Sequence, residues 1–391
     1  MYIKNKLVKL LRKKTIRSCT FLTIFIYSYT LHAGPIEELQ PGHWVEIPNT
    51  NLSQVYPSFI PTEIWGNSGP SSIMQAWSGG AYDTKRNRLI VMGGGHQNYG
   101  GNEIYAFSID TLTWERLTEQ SNPAPKCENY MPDGRPGTGQ TYNKLQYSVL
   151  TDSFIRFSGA FWGSACPFEM YRLSSQTTDI FDFSLNEWHI GVLQPDSGGD
   201  SSTGRVTATD PVTGHIWMHG TKGGARLLEY EPENDNWIVR SPMLYHKIGS
   251  TAAIDPIRRL MVAVGGWNGQ RQIRVWDLTQ EYASASTPTT FGDTALEFRE
   301  GIGFIFDPTI NKFVGWRNGS EVYTLDPNTW VWEKLEAAPS NSVIPSTAGR
   351  GVYGRFRYIA SKNVYILVNR TTENVYFYKL GNDIIFTNNF E

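Results

Sequence analysis

Cysteine is nearly absent from this 391-residue chain, which has three: Cys19, Cys127 and Cys166. No CxxC occurs, and the count is too low for a four-cysteine zinc site. Histidine is also scarce, at seven residues, and no HxH or HExxH spacing exists. The common zinc signatures are therefore missing. The carboxylates are scattered, with no pair spaced to suggest a retaining or inverting glycosidase. Long hydrophobic runs are lacking too. The longest, FLTIFIYSYT (21–30), is too short to span a bilayer.

That run follows Lys4, Lys6, Lys9, Arg12, Lys13, Lys14 and Arg17, with no acid among them, and precedes Leu31-His32-Ala33. A basic segment, a short apolar segment and a small residue describe a secretory signal peptide over 1–33. An uncleaved anchor is the rival reading. The expected mature chain, 34–391, is a single exported domain, secreted or periplasmic, with no membrane span. Seven of the 35 Lys and Arg, and none of the 37 Asp and Glu, lie before residue 34, so the remainder carries about −9. An acidic exported chain is a poor nucleic-acid binder. Only Cys127 and Cys166 remain after cleavage, and in an oxidising compartment they are expected to form one disulfide, two free buried thiols being the alternative.

What is plentiful is aromatic and glycine: 13 Trp, 20 Tyr, 19 Phe and 37 Gly. This composition favours short strands joined by tight turns. One pattern recurs six times. Its copies begin AWSGGAYDTKRNRLIVMGGG (76–95), LQYSVLTDSFIRFSGAFWG (145–163), RVTATDPVTGHIWMHG (205–220), STAAIDPIRRLMVAVGG (250–266), GIGFIFDPTINKFVGW (301–316) and GRFRYIASKNVYILV (354–368). Each opens with a hairpin, turned in three copies by Asp-Pro, and continues into an aromatic third strand. In four copies an outer strand follows with Trp114, Trp188, Trp237 or Trp332. Four strands at a period of about 45–55 residues are the signature of a β-propeller blade. The sixth copy lacks its outer strand. HWVEIP (43–48) has the right character to supply it and close the ring. The expected fold is all-β, a propeller of six blades with four antiparallel strands each. A seventh blade stays open in 48–76 or 110–140.

In a propeller, the loops joining strands two and three share a face with the segments joining consecutive blades. That face surrounds the central channel. The glycine-rich stretch VMGGGHQNYGGNEIYAF (91–107) is such a loop. No helix follows it, so a phosphate-cradling role is excluded. His96 and Tyr99 lie in it. Trp162, His219, Trp267, Trp316 and Arg317 lie in equivalent loops. Arg205, Tyr245-His246-Lys247, Arg299-Glu300 and Arg350 lead into inner strands. Aromatic plates beside Arg, Lys, Asn and His suit sugars, because rings stack on apolar sugar faces while polar groups read hydroxyls and carboxylates. A basic centre on an acidic protein draws in an anionic chain. Three rim histidines are too irregularly spaced to argue for zinc.

The paired glycines, following aromatic and downstream Trp of each copy resemble kelch repeats, over most of the chain beyond residue 33. The resemblance implies a propeller of the kind found in galactose oxidase. The chain is also loosely similar to propeller-fold lyases of acidic algal glycans, the ulvan-type lyases. That similarity implies β-elimination: a base takes the proton beside the uronate carboxylate, positive charge steadies the enolate, and an acid protonates the leaving oxygen. His96, Tyr99, Tyr245, His246 and Lys247 are the expected catalytic groups. Trp162, Arg205, His219, Trp267, Trp316, Arg317 and Arg350 are the expected substrate-binding residues. No cofactor or metal is expected, and the expected partner is a polysaccharide or other glycan, an anionic one fitting the basic centre, met by a monomer. Two other functions stand beside this one: a non-catalytic glycan- or protein-binding module, and a copper oxidase. The oxidase needs a Tyr–Cys cross-link, for which a Cys127–Cys166 disulfide leaves no thiol.

Overall fold

Each repeat folds as an antiparallel sheet of short β-branched and aromatic strands between turn-forming Asp, Asn and Gly; the inner strands are buried along their whole length, as in Ser153–Phe157 and Thr251–Asp255, while outer strands such as Thr113–Arg116 alternate. In the computed structural model, the residues described are 34–95, 97–157, 160–163, 176–195, 204–220, 226–241, 249–346 and 349–381. Blade 1 comprises Gly80–Asp83, Arg88–Val91, Tyr105–Ser108 and Thr113–Arg116. Blade 2 comprises Leu145–Ser148, Ser153–Phe157, Thr178–Asp182 and Glu187–Ile190. Blade 3 comprises Val206–Thr209, Ile216–His219, Leu227–Glu231 and Asn236–Val239. Blade 4 has Thr251–Asp255, Leu260–Val264 and Ile273–Asp277, with Ser286 bridging to Val275 on the outer side. Blade 5 comprises Gly303–Asp307, Lys312–Trp316, Val322–Asp326 and Val331–Leu335. Blade 6 comprises Phe356–Ile359, Val364–Leu367, Val375–Tyr378 and, from the other end of the chain, Trp44–Ile47.

The inner strands touch one another in blade order round the axis, and Trp44–Ile47 pairs antiparallel with Val375–Tyr378. The fold is a six-bladed β-propeller, and its ring is closed by a strand from outside the sixth repeat. Residues 48–76 do not make a seventh blade. They hold the short helical turns Leu52–Val55, Thr62–Trp65, Gly69–Ser71 and Ser72–Gln75 instead. No helix among the described residues is long and apolar enough to cross a membrane.

The repeats share their packing as well as their topology. The outer Trp faces the same third-strand position in five blades: Phe107–Trp114, Phe181–Trp188, Tyr230–Trp237, Leu325–Trp332 and Tyr378–Trp44. Four of those pairs are aromatic, with ring centroids 4.8–5.4 Å apart, within the range where such contacts add to area burial. The first turn of four blades is held by Asp83, Asp210, Asp255 or Asp307, whose carboxylate accepts from main-chain N–H groups two or three residues on. Neighbouring blades are then stapled across these turns. Arg86 reaches Asp152, and Arg259 grips both oxygens of Asp210. These charge-assisted pairs fix blade against blade.

Closure between blades 6 and 1 is different in kind. Arg355 is completely buried. It donates to the carbonyls of Ser78 and Met74 on the blade 1 side and of Gly351, Val368 and Asn369 on the blade 6 side.

Candidate functional site

The segments leading into the six inner strands form a repeating backbone motif. Two or three residues before each strand stands a left-handed residue: Trp77 (φ 53°), Tyr142 (43°), Gly204 (73°), Gly249 (92°), Gly301 (60°) and Tyr353 (44°). Several are linked across blades. Tyr142 N donates to Trp77 O at 2.6 Å, Gly301 N to Gly249 O at 2.7 Å, and Val352 N to Gly301 O at 2.8 Å. Glycine adopts this conformation at no steric cost. Bulky residues adopt it rarely, and such strained residues gather at functional sites. Here half the ring is glycine and half is aromatic, and the aromatic half sits together.

Tyr142 stacks on Trp77 with centroids 6.4 Å apart and meets Tyr353 edge-on at 5.6 Å. The Trp77 indole N–H donates to Glu300 Oε1, and the Arg350 guanidinium lies 4.4 Å from the Trp77 ring centroid, within cation–π range. Trp77, Tyr142, Glu300 and Arg350 line an open cleft of about 650 Å³ together with Gln75, Gln140, Trp267 and Arg370. Glu300 is the only carboxylate among the described lining residues. Burial pushes its carboxyl up, against the Trp77 hydrogen bond and the charges of Arg350 and Arg317. Burial, reinforced by the Glu300 charge, pushes the Tyr142 and Tyr353 phenols up. Arg317 is pulled down by burial and lies within electrostatic reach of Tyr353 and Glu300.

Of the residues expected from sequence, Trp267 (44 % exposed) and Arg350 line this cleft, and Arg317 lies within electrostatic reach of Glu300. Others are engaged in packing instead. Tyr99 is buried with its hydroxyl on Glu103 Oε1 at 2.7 Å. Trp162 is buried, with Lys126 5.4 Å from its ring centroid. Arg205 is buried and donates to Gln194. His219 is buried against Trp276 at 4.8 Å, and burial lowers its pKa to about 4. Trp316 is buried beside Trp44, with its indole N–H on Gly319 O at 3.0 Å. The physical reason is common to these. Loop positions at a strand end point into the interface with the next blade as readily as toward the axis. His96, Tyr245, His246, Lys247 and the Cys166 end of the expected Cys127–Cys166 disulfide lie outside the described residues. Among the described residues, no three or more His, Cys, Asp or Glu group in a way that would hold a metal ion.

Sequence reasoning passed over Trp77, Tyr142 and Tyr353 and did not single out Glu300. A signal existed. The three aromatics stand at the same offset, three residues before Gly80, Leu145 and Phe356, so aligning the repeats on their first strands brings them into register.

The glycines of 91–107 serve packing. A Cβ on Gly100 would lie 2.6 Å from the Trp162 ring, and one on Gly101 would lie 2.3 Å from Tyr99 Oη and 2.5 Å from Glu103 Oε2. Gly101→Ala is therefore expected to cost about 1–3 kcal/mol through overpacking. Chemical denaturation checks this against Gly349→Ala, where an added Cβ meets nothing within 4 Å. Equal midpoints for the two variants would refute it. No family model matches the chain, and no curated protein is significantly similar to it.

Proposed function

We propose that the axial cleft binds an acidic carbohydrate and cleaves it by β-elimination. The observation carrying this reading is the convergence of Trp77, Tyr142, Glu300 and Arg350 in one cleft on the propeller axis. Two of its three charged lining residues, Arg350 and Arg370, are cations, on a chain that is acidic beyond residue 33. The aromatic plates offer stacking surfaces for sugar rings, and the guanidinium of Arg350 offers a planar match for a carboxylate.

The chemistry divides among the groups by pKa. A carboxylate raised by burial is a stronger base than a free one, so Glu300 takes the proton from the carbon beside the uronate carboxylate. That electron pair forms the new C=C bond as the adjacent C–O bond breaks. A phenol with a raised pKa holds its proton until the leaving oxygen needs it, so Tyr142 donates there. Arg350 steadies the charge that develops on the carboxylate. Glu300 and Tyr142 thus take the places that sequence reading gave to His and Tyr.

A non-catalytic module for a glycan is the second reading. It is favoured by Glu300 being already engaged by the Trp77 indole, as a group that only shapes a binding surface would be. Incubating the protein without its leader with uronate-containing polysaccharides distinguishes the two. Rising ultraviolet absorbance from the unsaturated product supports elimination. Saturable binding without that absorbance leaves the module, and no binding removes both.

A further inference from the structure

The proposed reaction uses one end of the axis. At the other end, where tight turns join first strands to second strands, lies a cavity of about 430 Å³. Blades 1, 2, 3, 5 and 6 all contribute to its wall, so it sits on the axis rather than between two blades. No described residue lines both this cavity and the cleft. Its volume falls at the small end of the range for ligand pockets.

The wall is mostly apolar. Tyr82, Tyr147 and Tyr358 give their hydroxyls to Asn87, Asp152 and Asn363, each in the turn of its own blade, which leaves the rings as wall. Val149, Leu150 and Val212 stand exposed at the mouth, on the turns of blades 2 and 3. Leu150 lies against the blade 3 turn: a Cβ on Gly214 would come within 2.7 Å of its Cγ. Exposed apolar side chains gathered round a cavity mark a binding surface.

Two charged residues line the cavity, and only one is neutralised. Arg259 grips both oxygens of Asp210. Arg357 donates to the carbonyls of Gly354 at 2.9 Å and Gly80 at 3.3 Å, and no carboxylate among the described residues acts on its charge. Protein surrounds the guanidinium, and burial pulls its pKa down to about 10, so it stays charged at neutral pH. A buried charge without a counter-charge is costly. Arg355, two residues earlier, is held by five carbonyls; Arg357 has two.

We infer that this cavity binds a small apolar monocarboxylate, its carboxylate on Arg357 and its hydrocarbon body against the tyrosine rings. One uncompensated cation matches one negative charge, and the Asp210 carboxylate in the same wall weighs against a dianion such as a phosphate ester. A guanidinium meets a carboxylate in a planar, two-bonded fit. The site is independent of the acidic-glycan reading, which concerns the opposite mouth.

The test is isothermal titration calorimetry with octanoate, and with octylammonium as a probe of equal chain and opposite charge. Octanoate is expected to bind saturably at one site, and octylammonium far more weakly. Arg357→Met keeps the apolar length and should weaken octanoate by about tenfold or more, the contribution of a hydrogen bond to a charged group. If that variant does not fold, Val212→Glu carries the test. Val212 is 62 % exposed, so the change is tolerated. A carboxylate at the mouth should weaken octanoate about fivefold, the order of one like-charge contact in water, and spare octylammonium. Arg350→Ala, in the opposite cleft, should bind octanoate as the parent does. The proposal is overturned by the absence of saturable octanoate binding, by equal binding of the two amphiphiles, or by octanoate binding that neither variant weakens. Octanoate binding lost in Arg350→Ala and kept in Arg357→Met also overturns it, because the ligand then sits in the cleft.

Discussion

Replacing Glu300 with glutamine is expected to lower the rate of double-bond formation on a uronate glycan by about 100-fold or more, the usual contribution of a positioned acid or base. KM should change little. The amide oxygen still accepts the hydrogen bond that Trp77 gives to Glu300 Oε1, so the cleft keeps its shape, but the amide takes no proton. The pH profile adds a second signature. The Glu300 carboxyl is pushed up by burial. Activity in the parent therefore rises with pH through that raised value as the base form appears, and this limb vanishes in Glu300→Gln. Arg350→Ala should move both constants. It removes the guanidinium over Trp77, which binds the carboxylate, so KM rises, and the charge that steadies the developing negative charge, so kcat falls as well. Initial rates by ultraviolet absorbance check both. A Glu300→Gln enzyme within tenfold of the parent would sink the assignment of the base.

Arg355→Met should destabilise the whole propeller more than any surface change. Methionine keeps the apolar length of the side chain and deletes every donor. Five main-chain carbonyls, of Ser78, Met74, Gly351, Val368 and Asn369, are left facing no donor. An orphaned buried acceptor costs about 1–3 kcal/mol, so five amount to roughly 5 kcal/mol or more. That is a large share of the about 5–15 kcal/mol by which a typical domain is stable. The damage also falls where the ring closes, and an opened ring exposes sheet edges. Urea denaturation should show a lower midpoint or no cooperative transition. Arg355→Lys, with one ammonium for the five carbonyls, should fall between. A loss under about 1 kcal/mol in Arg355→Met would show that the carbonyls find other donors.

These two residues differ in how visible they were before the fold was known. Arg355 lies in a repeat whose strands are plain, yet nothing local says that its side chain reaches back to Met74 and Ser78. Glu300 lies in a segment leading into a blade, which its position in the repeat does reveal. What set it apart was the indole of Trp77, more than two hundred residues earlier in the chain. The expected binding residues divided the same way. Trp267 and Arg350 lie at the cleft, whereas Tyr99, Trp162 and Trp316 are turned into packing, with the same loop position and a different neighbour.

The sequence by itself determined the blade. β-branched and aromatic runs, Asp-led turns and an outer Trp are local patterns that recur with each repeat, and each strand pairs chiefly with its nearest neighbours in the chain. It also determined that one end of every repeat faces the axis, and it marked 43–48 as the strand that completes the ring. Which side chains meet on that axis was decided only by tertiary structure. Six repeats brought round a circle place residues from positions 77, 142, 300 and 353 side by side, and a one-dimensional pattern carries no distance between them.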